Sequence, residues 1–207
     1  EADRLEEYRR IATFNRKEGV DVQEISAKQV AELFPLCKTE DVLAGFYVEN
    51  DGRVNPVDAT QALAKGFRQL GGTIIEGLSV EDVLTERDAV VGLSYTRDGA
   101  PGTIKTDYVV NCGGLWAREL GARHGVLVPN QAAEHYYLLT DAMPDVDPSW
   151  PVVEDPASYA YIRPEGGGLM VGLFEGEAAP YDVPEPFAFG EIEPDWERMA
   201  PYPVSYT

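Results

Sequence analysis

The sequence predicts a mixed α/β (α+β) fold, and three patterns carry that prediction. An apolar run at residues 108–110 is typical of a buried strand, stops at the glycines of residues 112–114 and leads into a short helix. A helix at residues 55–70, followed by a short strand at 73–75, fits one αβ crossover of a doubly wound sheet. Residues 78–110 alternate strands with turn signals, which indicates a three-stranded meander beside that crossover.

The composition is that of a globular protein with a large acidic excess. The 207 residues suffice for one large domain or two small ones, and no apolar run approaches the ~20 residues that cross a bilayer. The opening EADRLEEYRR lacks the apolar core of a signal peptide. Lysine plus arginine total 17 against 36 acids, a net charge of −19 that argues against nucleic acid or an anionic membrane as partner.

Cysteine usage indicates free thiols. Cys37 and Cys112 lie far apart, and only two histidines accompany them. This pattern predicts reduced thiols in a cytoplasmic compartment and no metal site. No cationic residue is paired with Cys112 in sequence, so it is interpreted as a packing residue and not as a nucleophile.

The N-terminal part is predicted to contain two helices and two short strands. Apolar residues share one face over residues 1–18, which predicts an amphipathic helix, and residues 20–25 follow as a strand. Ser26, with Gln29 three positions later, forms a capping-box pattern that begins the second helix. Residues 44–49 have the pattern of a second strand.

The helix at residues 55–70 carries signals at both ends. Asn55 occupies the N-cap position and Pro56 the first helical position. Gly71 and Gly72 end the helix. Between these ends runs an apolar stripe at helical spacing, formed by Ala59, Leu63, Phe67 and Leu70.

Strands are predicted again in the last third. Residues 129–140 form a long strand, and residues 158–163 and 169–174 form a hairpin across the glycine-rich turn at 164–168. The acidic, proline-rich end of the sequence receives no assignment.

Several of these segments resemble one flavoprotein superfamily. TDYVVNCGGLWARELGAR, residues 106–123, resembles the second dinucleotide-domain crossing of the D-amino-acid-oxidase superfamily, where VVN-(A/C)-(A/G)-G-LW-A lies against FAD. Spacing alone would leave a strand–helix corner without a ligand as an equal alternative. The sequence up to about Trp196, including SAKQVAELFP and DGRVNPVD, is most similar to the dimethylglycine dehydrogenase and sarcosine dehydrogenase branch.

The resemblance implies a domain organisation and a set of cofactor contacts. Residues 1–54 and 126–207 would form a mixed-sheet substrate domain, and residues 55–125 part of a Rossmann-like FAD-binding domain. Val80 would grip the adenine through its backbone, although a valine without that role would serve equally well as a core residue. The other implied FAD contacts are Cys112, Gly113, Gly114 and Trp116.

His135 and Tyr161 are the catalytic pair that the resemblance implies. AEHYYLLT is similar to the (A/V)-E-H-x-Y-x-(V/L)-T strand of the branch, whose histidine faces the substrate, and Tyr161 matches its tyrosine partner. An ammonium nitrogen has no lone pair with which to stabilise an iminium, so it must lose a proton before hydride leaves its methyl group. An imidazole, with an unperturbed pKa of about 6.5, suits that proton transfer. A histidine bonded within a strand, without a chemical role, is the alternative.

Three further polar residues are considered for the site. Arg163 points the same way as Tyr161 in a strand, so it either clamps a substrate carboxylate or forms an ion pair with Glu134 or another acid. Glu134 should face away from the site. His124 is explained by a position at the C-terminal end of a helix.

The sequence is expected to be an internal part of a longer polypeptide. It contains no G-x-G-x-x-G after a strand, and the branch places that fingerprint, its flavin-linked histidine and the flavin-ring segment outside the matched region. We therefore expect residues 1–207 alone to bind FAD weakly or not at all.

The resemblance predicts FAD-dependent oxidation of N-methyl amines such as dimethylglycine or sarcosine. Tetrahydrofolate, held by a further C-terminal domain, is a second implied cofactor, and the electron acceptor is not specified. Two alternatives stay open. One is oxidation of another secondary amine or a D-amino acid. The other is a non-catalytic regulator resembling the pyruvate dehydrogenase phosphatase regulatory subunit.

Overall fold

The structure is a computed structural model that describes residues 1–200. It divides into two compact units. Of the described residues, the first unit comprises 1–53, 135–178 and 191–200, and the second comprises 54–134 and 179–190. The assignment of a substrate role and an FAD role to such parts stays a prediction.

The first unit begins with two helices and a small sheet. Helix α1 spans Ala2–Lys17, strand β1 Gln23–Ile25, helix α2 Ala27–Leu33 and strand β2 Gly45–Tyr47. Strands β1 and β2 pair antiparallel. The capping box is confirmed, because the Ser26 hydroxyl accepts from the Gln29 N–H while the Gln29 side chain accepts from the Ser26 N–H.

The larger sheet of this unit has four antiparallel strands in the order β6-β9-β8-β7. They are β6 Tyr137–Leu139, β7 Val153–Asp155, β8 Ala160–Glu165 and β9 Gly168–Leu173. Gly166 and Gly167 form the two-residue turn between β8 and β9, and both have positive φ, at 58° and 85°. The predicted hairpin is therefore confirmed, whereas β7 and helix α5, Trp196–Met199, were not foreseen.

One face of this sheet forms the core of the first unit. Phe34, which follows α2, packs with Ile162 of β8 and Val171 of β9. A second cluster joins Ala160 and Leu173 to Met199 of α5. Since side chains alternate along a strand, burial of these residues directs their sequence neighbours to the opposite face.

The second unit consists of two helices and a three-stranded sheet. Helix α3 spans Pro56–Gln69, and strands β3 Leu78–Glu86, β4 Ala89–Arg97 and β5 Ala100–Lys105 form the sheet. A 3₁₀ turn at Gly114–Trp116 leads into helix α4, Ala117–Arg123. The predicted meander and the Asn55 cap are confirmed: Asn55 Oδ1 accepts from the N–H groups of Val57 and Asp58 at 2.9 and 3.1 Å.

Three predicted strands are wrong in whole or in part. Residues 73–75 and 108–110 form no strand, and the predicted strand at 129–140 is reduced to β6 and an isolated bridge between Ala133 and Pro180. The side chains of Tyr108 and Val110 are 87% and 82% exposed. High β-propensity does not make a strand without a neighbouring strand to pair with, and the described part of the chain provides none for residues 108–110.

The apolar stripe of α3 is likewise exposed. Leu63 and Leu70 are 77% and 90% exposed in the described second unit. The capping residues therefore suffice to set the ends of α3 close to the predicted ones. The apolar stripe is not buried within this unit. Over residues 1–200, the helices are all too short or too polar to cross a membrane.

We predict that Phe34→Ala destabilises the first unit and Phe14→Ala does not. Phe34 is fully buried against the sheet, whereas Phe14 lies exposed on α1. Truncating the buried ring leaves a cavity and lowers the free energy of unfolding by about 3–5 kcal/mol. Urea unfolding measures both variants, and the exposed control should change by no more than about 0.5 kcal/mol. Equal effects of the two substitutions would contradict the assigned core.

Candidate active site

His135 and Tyr161 both contact the ring of Phe174. The ring centroids of His135 and Phe174 are 6.1 Å apart in a stacked arrangement, and those of Tyr161 and Phe174 are 5.2 Å apart and tilted. The His135 side chain is 47% exposed, and Tyr161 is half-buried. The two side chains thus meet the same phenyl ring, and neither of them is fully buried.

The strand register explains this meeting. Tyr161 of β8 is paired with Gly172 of β9, and Gly172 is also paired with Tyr137 of β6. Tyr137, Tyr161 and Gly172 therefore share the face opposite the core. His135 precedes β6 and Phe174 follows β9, and the Phe174 ring contacts both His135 and Tyr161 there.

Gly172 permits Tyr161 to lie across the sheet. A Cβ atom at position 172 would be 2.0 Å from Cζ and 2.3 Å from Oη of Tyr161. Both distances are far below van der Waals contact, so any larger residue would displace the ring. Sequence reasoning missed this role, which depends on the pairing of β8 with β9.

Glu175 is a second residue that sequence reasoning missed. Its side chain is 5% exposed, and its Oε2 lies 3.7 Å from Nδ1 of His135. Its other oxygen, Oε1, is buried and has no hydrogen-bond partner among the described residues. The only signal in the sequence was an acid directly after the apolar strand that ends near Phe174.

Arg163 forms an ion pair with Glu165. Its Nη1 contacts Oε2 of Glu165, two residues further along β8. The sequence left the ion-pair partner open between Glu134 and another acid. In the structure that partner is Glu165. Arg163 lies on the same face as Tyr161 by strand alternation.

The glycine pair predicted to approach FAD lies at an accessible corner of the second unit. Cys112 and Gly114 are exposed and Gly113 is half-buried. Gly114 has a φ of +52°, and no atom lies within 4 Å of where its Cβ would be. Trp116 packs against Phe187, with ring centroids 6.2 Å apart.

A polar cleft adjoins this corner within the second unit. Its volume is about 300 Å³. Its walls come from α4, from residues 130–132 and from residues 181–183, with Leu115, Arg118, Glu119, Asn130, Gln131 and Tyr181 among them. Asn130 donates from its amide to the Gly114 carbonyl at 3.2 Å, which joins the cleft wall to the glycine pair.

Val80 lies on β3 beside an irregularity of the meander. The register of β3 against β4 shifts between Val80 and Asp82. The carbonyl of Glu81, at the shift, accepts from Nη1 of Arg123 at 3.0 Å. His124 also reaches this strand, since its Nε2 lies 2.7 Å from Oδ1 of Asp82. The side chains of Arg123 and His124 thus hold the end of α4 to β3. The interpretation of His124 from the sequence considered only the helix dipole and did not predict its contact with Asp82.

The two cysteines lie in different surroundings. Cys37 packs against the core cluster of Phe34, whereas Cys112 is exposed. Burial raises the pKa of the Cys37 thiol, and the negative charge of Asp155 adds to that rise. Cys37 is therefore predominantly a protonated thiol at neutral pH.

The protein is thus of the α+β class. It carries an exposed glycine corner in one unit and a histidine–tyrosine face in the other. The sequence profile described as "FAD dependent oxidoreductase" matches residues 1–202. The chain belongs to this family, as its resemblance to D-amino-acid-oxidase-like flavoproteins predicted. FAD is the cofactor of the family.

Three curated relatives are similar over most of the chain. A 4-methylaminobutanoate oxidase (formaldehyde-forming) of Paenarthrobacter nicotinovorans is 37% identical over 187 residues, 89% of this chain and 22% of that protein. Human mitochondrial sarcosine dehydrogenase is 32% identical over 94% of this chain and 21% of that protein. The mouse mitochondrial pyruvate dehydrogenase phosphatase regulatory subunit is 33% identical over 96% of this chain and 23% of that protein.

The chain spans about a fifth of the length of these relatives. Among solved structures, L-proline dehydrogenase from P. horikoshii superposes with a TM-score of 0.82 and 23% identity, covering 100% of this chain and 52% of that one. At this identity the likeness shows the fold alone, and it agrees with the predicted mixed α/β class.

We predict that Gly172→Ala displaces Tyr161 from Phe174. The added methyl group would overlap the phenol, so the ring would have to move away from position 172. The measurement is the nuclear Overhauser effect between the ring protons of Tyr161 and Phe174, which should be lost. Gly176→Ala is the control, because no atom lies within 4 Å of a Cβ at that position. An unchanged effect in Gly172→Ala would show that the strand pairing does not constrain Tyr161.

Proposed function

We propose that this chain contributes the substrate-facing side chains and part of the FAD site of an oxidoreductase that acts on N-methyl amino acids. The names of two relatives support this substrate class. Sarcosine is N-methylglycine, and 4-methylaminobutanoate carries the same N-methyl group on a longer amino acid. Both substrates combine a methylated amine with a carboxylate, which the site must bind together.

The glycine corner of the second unit fits FAD. Cys112 and Gly114 are exposed, and no atom lies within 4 Å of where a Cβ of Gly114 would be, so a flat cofactor can approach closely there. Trp116 is proposed to supply an aromatic surface for FAD, and the backbone of Val80 is proposed to bind the adenine. When bound, FAD supplies the acceptor for the hydride that leaves the N-methyl carbon.

His135 is proposed as the base that prepares the substrate. It takes the proton of the substrate ammonium, because only the neutral amine has a lone pair that can stabilise the iminium product. The observation that carries this role is the shared contact of His135 and Tyr161 with Phe174 on the face opposite the core. Half of the imidazole is exposed there and can reach a ligand.

Tyr161 and Arg163 are proposed to orient the substrate. The Tyr161 hydroxyl donates a hydrogen bond to the substrate carboxylate or to His135. The Arg163 guanidinium can bind a carboxylate in a bidentate manner, but it would have to exchange its contact with Glu165 for the substrate. Arg163 therefore tunes affinity for the carboxylate, whereas His135 determines the rate of oxidation.

A regulatory role is the second candidate. The 33% identity to the pyruvate dehydrogenase phosphatase regulatory subunit extends over 204 residues, so the same fold also occurs in a protein with that name. The substrate also stays open between an N-methyl amino acid, another secondary amine and a D-amino acid. Flavin reduction by a panel of these compounds separates the enzymatic candidates from one another and from the regulator.

We predict that His135→Ala slows anaerobic flavin reduction by the N-methyl amino acid that reduces the wild type. Loss of a general base lowers the rate by about 10²–10⁴-fold. Stopped-flow absorbance measures this rate in the FAD-loaded longer polypeptide that is expected to contain this chain. The control is His124→Gln, which replaces the other histidine with a side chain that can still contact Asp82 and should retain the rate.

Two outcomes would contradict the enzymatic proposal. If His135→Ala reduced the flavin at the wild-type rate, His135 would not be the base. Absence of reduction by every amine of the panel, in protein loaded with FAD, would favour the regulatory candidate.

We predict that FAD protects Cys112, but not Cys37, from alkylation. Cys112 is exposed at the proposed FAD corner, so bound cofactor should cover it. Cys37 reacts slowly with or without FAD, because burial raises its pKa and disfavours the thiolate. The measurement is mass spectrometry after timed iodoacetamide treatment of the longer polypeptide that is expected to contain this chain, with FAD bound and with FAD removed. Equal labelling of Cys112 in the two samples would show that bound FAD does not cover Cys112, and the proposed FAD contact would be wrong.

A further inference from the structure

The buried carboxylate of Glu175 lies behind the exposed imidazole of His135. Glu175 follows the end of β9 and is next to Phe174, the ring that His135 and Tyr161 share. Its side chain is 5% exposed, against 47% for His135. The carboxylate is therefore covered by protein, whereas the imidazole in front of it can reach a ligand.

A carboxylate that is buried in the protein needs hydrogen-bond donors to replace water. Removal from water is strongly unfavourable for an ionised carboxylate unless hydrogen bonds replace its hydration. Oε1 has no such partner in residues 1–200. Oε2 lies 3.7 Å from Nδ1 of His135, longer than a hydrogen bond and within the range of an ion pair.

We propose that Glu175 is a positioning residue for His135: its carboxylate accepts from Nδ1–H and so leaves Nε2 unprotonated toward the substrate. This rests on the proposed function of His135 as the base. The contact tightens to a hydrogen bond when substrate is bound, as active-site hydrogen bonds that are long in free enzymes commonly do.

The chemistry follows from the two nitrogens of imidazole. A neutral ring carries one proton, and a carboxylate that accepts from one nitrogen fixes that proton there. The other nitrogen then has the lone pair that takes the ammonium proton. After the transfer the ring is an imidazolium, and the negative charge of Glu175 stabilises it. Glu175 is 5% exposed and His135 47% exposed, so the imidazole and not the carboxylate is accessible to the substrate.

The tautomer of His135 is the direct test. Long-range ¹H–¹⁵N correlation spectra distinguish protonated from unprotonated ring nitrogens. They are recorded on the FAD-loaded longer polypeptide that is expected to contain this chain, with ¹⁵N-labelled histidine. His135→Gln identifies the signals that belong to His135. We expect a protonated Nδ1 and an unprotonated Nε2 in the wild type at mildly alkaline pH. A wild-type spectrum with the proton on Nε2 would overturn the proposal without any variant at position 175.

Two substitutions at position 175 separate positioning from packing. Glu175→Leu removes the acceptor, so the His135 tautomer should shift toward Nε2–H and flavin reduction should slow by roughly 10- to 100-fold, less than in His135→Ala. The apparent substrate affinity should change little. Glu175→Gln retains an acceptor oxygen and should restore the Nδ1–H tautomer and most of the rate.

The outcomes distinguish this proposal from the proposed function. If His135→Ala abolishes reduction while Glu175→Leu keeps both the tautomer and the rate, Glu175 is not a positioning residue and the base assignment stands. If His135→Ala keeps the rate, the base assignment fails, whatever the tautomer spectrum shows. A loss of substrate affinity without a change of tautomer in Glu175→Leu would instead make Glu175 a substrate ligand and overturn the positioning role.

Discussion

Burial of one face of the four-stranded sheet is the constraint on which the candidate site depends. Ile162 and Val171 enter the core around Phe34, so their neighbours Tyr161 and Gly172 must face the other way. A shift of register by one residue would exchange the two faces and bury the phenol. The hydrophobic core therefore fixes the orientation of the polar side chains, although none of the core residues takes part in the proposed chemistry.

A glycine and the aromatic residues around it determine how the side chains pack on this face of the sheet. The absence of a side chain at Gly172 lets Tyr161 lie across β9, and the ring of Phe174 receives both Tyr161 and His135. A comparable arrangement occurs in the meander of the second unit, where the ring of Tyr95 lies across Gly102. Tyrosine over a cross-strand glycine thus occurs twice within residues 1–200, once at the candidate site and once outside it.

Sequence reasoning succeeded where the stabilising contacts are local. The caps at Ser26 and Asn55 and the glycine turn of β8 and β9 were predicted because their hydrogen bonds and φ angles involve residues a few positions apart. It failed for residues 73–75 and 108–110, which have apolar, β-branched sequences but no strand pairing. A strand needs a partner from elsewhere, and propensity carries no information about whether one is present.

The sequence by itself determined the helix caps, the hairpin turns, the acidic charge and the motifs from which the FAD dependent oxidoreductase family could be predicted. Only the tertiary structure decided that Glu175 lies behind His135, that Arg163 pairs with Glu165 and that Gly172 supports Tyr161. The first group depends on neighbours along the chain. The contact of Glu175 with His135 joins residues far apart in sequence. The role of Gly172 depends on the register of the β8–β9 hairpin, which places it opposite Tyr161. The partner of Arg163 is only two residues away, but the sequence did not indicate which of many acids would reach the guanidinium.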